Sequence, residues 1–343
     1  MQLSDFDYEL PEDLIAQKAL PERNASRMLV LNRSTQSWRD SSFSEFPSQL
    51  KPNDVVVVNN SRVIPARLIG QRKESGGRVE VFLVRELEPG IWQALVRPGA
   101  RLRRGSRAVF GSNQLEAEFL DDPGIELRTV RFESDESFET ALAKVGSTPL
   151  PPYIKRPDGV SLDDDERYQT IYSKRRGAIA APTAGLHFSP ELLTKLRHTN
   201  QLVEITLHVG YGTFEPVRVN DVDEHEVSSE RYEISQSAAE LINSAHEAGG
   251  RIIAVGTTTT RALESSADKG KVKASVGEAT LTIKPGYKFK VVDALLTNFH
   301  LPCSSLLILV SVFAGRELIL DAYRHAVSKR YRFYSYGDCM LIE

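Results

Sequence analysis

The sequence predicts an α/β protein, an α/β sheet or open-barrel domain that carries an inserted small antiparallel β-barrel. Three observations predict it. Four consecutive valines, Val55 to Val58, follow Pro52-Asn53-Asp54 and read as a strand covered on both faces. From about Arg62 to Val145, short alternating runs are cut by Gly76-Gly77, Pro89-Gly90, Pro98-Gly99 and Pro123-Gly124, the rhythm of a small barrel or sandwich. After Tyr153 the pattern becomes strand, polar turn, helix, which favours a largely parallel sheet. The expected division is an α/β catalytic domain from residues 1–61 and 153–343, with the β-barrel domain inserted at 62–152.

Taken in order, the first sixty residues read as an amphipathic start, a loop and the valine strand ending at Asn59-Asn60. Arg78 to Val84 alternates as a half-buried strand should. Ser137 to Val145 is helix-like, and Pro149-Leu150-Pro151-Pro152 closes the insertion. Gly177 to Ala181 leads through Pro182-Thr183-Ala184-Gly185-Leu186-His187-Phe188 into a helix whose N-cap and first turn are Ser189 and Pro190. Leu202 to Val209 is a strand carrying His208, followed by Gly210-Tyr211-Gly212-Thr213. Ser237-Ala-Ala-Glu240 reads as a capping box opening a helix that stops at Gly249-Gly250. Arg251 to Val255 runs into Gly256-Thr257-Thr258-Thr259-Thr260-Arg261, and Val291 to Thr297 runs through Asn298-Phe299-His300 into the apolar helix at Leu306.

Composition narrows the function. A chain with 41% hydrophobic and 26% charged residues is an ordinary folded protein. Cys303 and Cys339 cannot build a disulfide framework, and two free thiols suit a reducing, cytoplasmic setting. The opening Met-Gln-Leu-Ser-Asp-Phe-Asp lacks the apolar stretch of a signal peptide, and Leu306 to Ala314 falls short of the ~20 residues a membrane helix needs, so no membrane partner is expected. Net charge is −3, yet Arg62 to Arg107 holds eleven Lys/Arg against four Asp/Glu, and Asn113 to Leu142 holds two against nine. The plain reading is a solvated β-surface; the sharper one is a stretch that follows a phosphate backbone.

Ligands of α/β sheets sit at the carboxyl ends of the strands. Here those ends carry His187, His208, Thr257 to Arg261, and Asn298 with His300. A lone histidine is more often structural, but three of seven at equivalent strand ends point to a shared site. The glycine–threonine turn before Arg261 offers amides, hydroxyls and a guanidinium to a carboxylate or phosphate; its plain reading is a helix cap serving its own backbone. It is no Walker A loop, and no G-x-G-x-x-G follows a strand, which leaves a dinucleotide or methyltransferase site unsupported. No H-E-x-x-H or C-x-x-C occurs, so no metal is expected. Cys303 before a helix is a candidate for a lowered thiol pKa, though a small buried residue is the commoner case.

Several stretches then carry a resemblance. They are Asp54-Val-Val-Val-Val-Asn-Asn-Ser-Arg-Val-Ile-Pro-Ala-Arg67, Ala180-Ala-Pro-Thr-Ala-Gly-Leu-His-Phe188, Leu207-His-Val-Gly-Tyr-Gly-Thr-Phe-Glu-Pro-Val217, Ile253-Ala-Val-Gly-Thr257, Lys290 to Pro302, and Tyr331-Arg-Phe-Tyr-Ser-Tyr-Gly-Asp338. Together with Phe6 to Ile15 and Leu150-Pro-Pro-Tyr-Ile154 they resemble the S-adenosylmethionine:tRNA ribosyltransferase-isomerase family of queuosine biosynthesis. The resemblance spans nearly the whole chain and is weakest at about 105–147. It implies that the ribosyl part of S-adenosylmethionine is moved onto 7-aminomethyl-7-deazaguanine at the wobble position of a tRNA. The ribosyl rearranges to an epoxycyclopentane, giving epoxyqueuosine, and adenine and methionine leave. It also implies no metal and no resident cofactor, S-adenosylmethionine being a consumed substrate.

Under that reaction the C5′ proton beside the sulfonium needs a base of near-neutral pKa, and departing adenine needs a proton donor. His300, His208 and His187 are the candidates, the first two ahead because each ends a long apolar strand. The turn at Thr257, Thr258 and Arg261 would take the methionyl carboxylate or a phosphate, and Thr183, Asp293 and Asn298 would orient ribose hydroxyls. Arg101, Arg103, Arg104 and Arg107 would contact tRNA phosphates, and the protein is expected to act as a monomer. Val227 and Ser228 stand where the family usually has Met and His, Glu278-Ala279-Thr280 and Lys284 replace an Asp-Thr pair and a Tyr, and Tyr211 replaces a small residue. Two other readings are a metal-dependent hydrolase or sugar isomerase built on the three histidines, and a non-catalytic tRNA-binding relative. Chelator sensitivity marks the first; tight tRNA binding without turnover marks the second.

Overall fold

A computed structural model describes residues 1–156, 162–199 and 201–343. Its strands in the first half are β1 (Arg27–Asn32), β2 (Ser37–Ser42), β3 (Val55–Asn59), β4 (Ser61–Val63), β5 (Arg67–Arg72), β6 (Arg78–Glu88), β7 (Ile91–Arg97), β8 (Arg107–Phe110), β9 (Leu115–Phe119), β10 (Arg128–Glu133) and β11 (Gly146–Ser147). The second half adds β12 (Arg175–Ala178), β13 (Leu202–Leu207), β14 (Glu230–Ile234), β15 (Ile252–Val255), β16 (Ala267–Asp268), β17 (Lys271–Val272), β18 (Ser275–Ala279), β19 (Ala294–Asn298) and β20 (Cys339–Ile342). Helices are α1 (Phe138–Val145), α2 (Leu162–Arg167), α3 (Pro190–His198), α4 (Gln236–Glu247), α5 (Thr257–Ser266), α6 (Ser305–Ala314) and α7 (Arg316–Ser328).

Nine strands form one sheet in the order β18-β14-β13-β3-β15-β19-β20-β1-β2. Its centre, β13-β3-β15-β19, is parallel. The valine strand β3 lies inside this parallel block, and its side chains alternate between two cores. Val55 and Val57 pack with Ala254, Leu295 and the helices α4, α6 and α7 on one face. Val56 and Val58 pack with Ile253, Leu296, Phe43 and the leucines of α3 on the other. A strand buried on both faces has no polar side to show, which is why it reads as a continuous apolar run.

The insertion closes on itself. Strands β5-β6-β7-β10-β9-β8 are consecutive neighbours, and β5 pairs again with β8. Gly70 permits that closure, since a Cβ there would sit 2.3 Å from the Val109 carbonyl oxygen. The barrel holds its own core of Leu68, Val81, Ala94, Phe110, Phe119 and Val130.

Three local features differ from the sequence reading. Gly177 to Ala181 does not join the large sheet: β12 pairs only with β4, as a two-stranded parallel ribbon. Helix α4 is capped by Ser235, whose hydroxyl accepts from the Ala238 amide at 3.2 Å, so Ser237 sits in the first turn rather than at the cap. The hairpin β1–β2 and the C-terminal strand β20 went unread because β2 is largely exposed and β20 follows a polar loop. No helix among the described residues is long and apolar enough to cross a membrane.

Candidate active site

A cavity of about 500 Å³ opens at the carboxyl ends of β15 and β19. Its walls come from Ala180 to Ala184 after β12, Val209 after β13, Gly256 to Thr258 after β15, and Thr297 to His300 at the end of β19. Glu215, His225 and Tyr334 complete it from loops. The volume lies within the usual range for small-molecule sites.

At the floor, Gly256 takes φ 89°, a conformation that favours glycine, and caps α5. The amides of a helix's first turn have no internal acceptor, and the helix dipole adds positive potential there. Of the threonines that follow, Thr259 and Thr260 return their hydroxyls to the carbonyls of Val255 and Gly256, at 2.6 and 3.1 Å. Thr257 and Thr258 line the cavity, and the Thr258 hydroxyl is sealed from solvent with no hydrogen-bond partner. The capping role therefore belongs to the second pair and a ligand role is open to the first.

Asn298 is fixed in one orientation, its amide nitrogen donating to the Tyr334 carbonyl at 2.9 Å, while its Oδ1 is buried without a close hydrogen bond, with His187 as its neighbour. Tyr334 adopts φ 72°, rare for an aromatic residue, and its hydroxyl is likewise unpartnered. Burial pushes that phenol far above its ordinary pKa, so it is a neutral donor. These three polar atoms belong to residues that line one cavity, where a polar ligand could supply the partners that buried polar groups ordinarily have.

The three histidines do not converge. His300 lines the cavity, its Nε2 bonded to the Thr297 hydroxyl at 2.9 Å. Its backbone is pinned at both ends: the amide donates to the Tyr323 hydroxyl at 3.1 Å and the carbonyl accepts from Tyr8. Burial pushes its pKa down to about 3, so it stands neutral rather than near its titration midpoint. His187 lies outside the cavity lining, tilted against Phe43 with Nδ1 on the Ser26 hydroxyl at 2.8 Å, and burial lowers its pKa to about 4 against the opposing pull of Asn298. His208 also lies outside, between Val209, which lines the wall, and Leu207 in the core. Burial and then Arg231 depress its pKa.

Two other expected contacts are placed elsewhere. Asp293 precedes β19 and so sits at the opposite strand end, accepting from the Ile252 amide at 2.8 Å and facing His246 at 3.4 Å. Arg261 is on the cavity wall but fully engaged. It pairs with buried Glu230 and donates to the carbonyls of Leu281, Ser228 and Ala279. Burial pushes the Glu230 carboxyl up, against the opposing pull of Arg261. With these four bonds formed, this guanidinium braces α5 against the edge strands. Thr183 is on the wall as expected. In the barrel, Arg101, Arg103 and Arg104 are exposed, whereas Arg107 meets Glu116 at 2.7 Å and lies near Glu118 and Glu133. Arg107 is therefore held by carboxylates.

Sequence reading missed Tyr334, Glu230 and His225, whose Nε2 meets the Ser305 hydroxyl at 2.7 Å. Only the C-terminal motif and the His225 segment hinted at them. Val227 and Ser228, two departures from the family pattern, line the cavity, while Lys284 reaches the Asp223 carbonyl instead. The Cys303 thiol is raised by burial, not lowered. Among the described residues no group of three His, Cys, Asp or Glu side chains is placed to hold a metal.

The comparisons with known proteins bear directly on this site. The family described as "Queuosine biosynthesis protein" matches residues 3–342. The chain belongs to that family. Proteins named S-adenosylmethionine:tRNA ribosyltransferase-isomerase are similar over the full length of both chains: 49% identical in Pelotomaculum thermopropionicum and in a Thermoanaerobacter species, and 50% in Syntrophotalea carbinolica. A crystal structure of the S-adenosylmethionine tRNA ribosyltransferase from Thermotoga maritima is 37% identical, with a TM-score of 0.56 over 99% of this chain and 100% of that one. Within the queuosine biosynthesis family, then, this cavity is the place where substrate recognition is to be sought.

Proposed function

We infer that the protein is a transferase that moves and isomerises the ribosyl moiety of S-adenosylmethionine onto 7-aminomethyl-7-deazaguanine at the tRNA wobble position. The product is epoxyqueuosine-tRNA, with adenine and methionine released. Full-length identity of 49% to relatives bearing that activity in their name carries the assignment. The cavity supplies the chemistry it requires. The first turn of α5, with Thr257 and Thr258, suits the methionyl carboxylate. Asn298 Oδ1, an acceptor by its fixed orientation, suits a ribose hydroxyl or the methionyl ammonium, and Thr183 stands nearby on the same wall.

His300 is the base we assign to the C5′ proton. It is neutral, rigidly held and on the cavity wall. Its low pKa keeps it unprotonated and able to accept a proton at neutral pH. Because burial is the cause, closer contact with an anionic group of the substrate, such as the methionyl carboxylate, would raise it toward the near-neutral range that proton abstraction favours. Glu215, the other wall residue free of an arginine, is the second acceptor in reach of the cavity. No resident cofactor or metal enters this scheme, S-adenosylmethionine being consumed. The metal-dependent hydrolase reading loses its footing once His187, His208 and His300 are apart. Arg101, Arg103 and Arg104 remain available to tRNA phosphates, and we place the protein in the cytoplasm, acting as a monomer.

Product identity tests the reading. Incubation with S-adenosylmethionine and tRNA carrying the aminomethyl base should yield epoxyqueuosine on nucleoside mass spectrometry. A methylated nucleoside with S-adenosylhomocysteine would overturn it.

A further inference from the structure

The ribbon β4–β12 carries an arrangement that ordinary surface design avoids. Arg62 and Arg176 are directly paired across the two strands, and both are exposed. Like charges facing each other across strands destabilise the pairing. Arg62 meets only the Ser173 hydroxyl, at 3.3 Å, and neither arginine forms an ion pair among the described residues. Arg175, the preceding residue of β12, registers with Ser61 and has Glu233 as a distant, exposed partner at 3.8 Å. Arg231 of β14 approaches from the neighbouring sheet, and its register partner Glu278 instead meets Arg85 at 3.5 Å.

Two of these charges, Arg231 and Arg175, act on the same imidazole. His208 is depressed by burial first, then by Arg231 and by Arg175, with Glu233 acting the other way. Gly177, at φ 136°, lets the ribbon lie on that imidazole, since a Cβ there would sit 2.9 Å from His208 Nδ1. Lys174 is already paired with Glu204 at 2.7 Å and adds no free charge. The ribbon and the adjoining edge of β14 thus expose four arginines, of which Arg62 and Arg176 have no carboxylate partner among the described residues and Arg175 has only Glu233, a cationic surface suited to an external anion.

The ribbon also leads to the chemistry. Beyond Arg176 the chain reaches the cavity wall at Ala180, a distance of at most about 14 Å for a fully extended segment. A nucleic acid whose base enters the cavity would have neighbouring phosphates at that range.

We propose that Arg62, Arg175, Arg176 and Arg231 form a phosphate-gripping ribbon that holds the tRNA backbone beside the cavity. The choice of tRNA rests on the ribosyl-transfer reading above; the call for a polyanion rests on the paired arginines. Backbone contacts of this kind fix position without reading sequence.

The test is the salt dependence of tRNA binding, with the double variant Arg62→Gln/Arg176→Gln beside the triple variant Arg101→Gln/Arg103→Gln/Arg104→Gln. Each lost phosphate contact lowers the slope of log affinity against log salt by about 0.7–0.9, so the double variant should lose roughly 1.5. Its melting temperature should hold or rise, because a like-charge pair is removed. S-adenosylmethionine affinity should not change. An unaltered slope and affinity at equal stability would overturn the ribbon, and so would weaker binding that tracks a lower melting temperature. The wild-type protein separates this proposal from the reaction it rests on. Turnover by wild type with no slope change in the double variant rejects the ribbon alone. A slope change with no wild-type adenine release supports the ribbon and rejects the reaction.

Discussion

At the scale of single residues, burial decides which histidine can do what. His187 and His300 are pushed to about 4 and about 3 from an ordinary 6.5, and desolvation of the charged imidazolium is the first cause in both. A folded-state pKa below the unfolded one means that the unfolded chain takes up protons first as pH falls. Their contribution to stability is therefore complete above about 6.5 and is lost progressively as pH falls, down to about 4 for His187 and about 3 for His300. Melting temperature should drop across that window, and His187→Gln, which cannot titrate, should show a shallower drop than wild type. Identical profiles would mean that His187 is not held neutral. The same scale explains why the three strand-end histidines do not line one cavity. Side chains alternate along a strand, so Val209 on the cavity wall turns its neighbour His208 to the other side. His187 is taken by the turn Thr183–His187 against Phe43. Sequence proximity to a strand end tells which end a residue occupies but not which face.

At the scale of elements, what was legible followed from local chemistry, and what was hidden depended on partners far along the chain. The valine run, the Ser189–Pro190 helix start and the glycine–threonine turn each declare themselves through their own residues. Arg261 looked like an anion donor because Glu230, thirty-one residues upstream, gives no local sign that it will pair with it. Asp293 looked like a ribose contact, yet it sits where its strand begins. Glu264 shows the same dependence on distant partners. It lies buried on α5 and accepts from the amides of Lys290, Val291 and Val292 at 2.8, 3.1 and 3.0 Å, and from the Tyr287 hydroxyl at 2.8 Å. This carboxylate fixes the chain just before β19, and so the position of Thr297, Asn298 and His300. Glu264→Gln places an amide donor against these donors. Each one left without an acceptor costs about 1–3 kcal/mol, so chemical denaturation should show a loss of at least that size. An unchanged midpoint would mean that the segment is held by its packing alone.

At the scale of the whole molecule, the α/β sheet and the inserted barrel were both visible in advance, because each rests on a repeating pattern of burial and turns. The cavity was visible only as a region, the carboxyl ends of β15 and β19; its depth, its unpartnered Thr258, Asn298 and Tyr334 atoms and the strained backbone of Tyr334 belong to tertiary packing. The central claim is that ribosyl transfer takes place in this cavity with His300 as base and without a metal. Adenine release from S-adenosylmethionine and the aminomethyl-base tRNA, measured in excess EDTA for wild type and for His300→Gln, tests it most directly. Wild type should release adenine undiminished by EDTA, and His300→Gln should be slower by roughly 10²–10⁴-fold with S-adenosylmethionine affinity little changed. Wild-type rates from folded His300→Gln, or activity abolished by EDTA and restored only by a divalent metal, would contradict it.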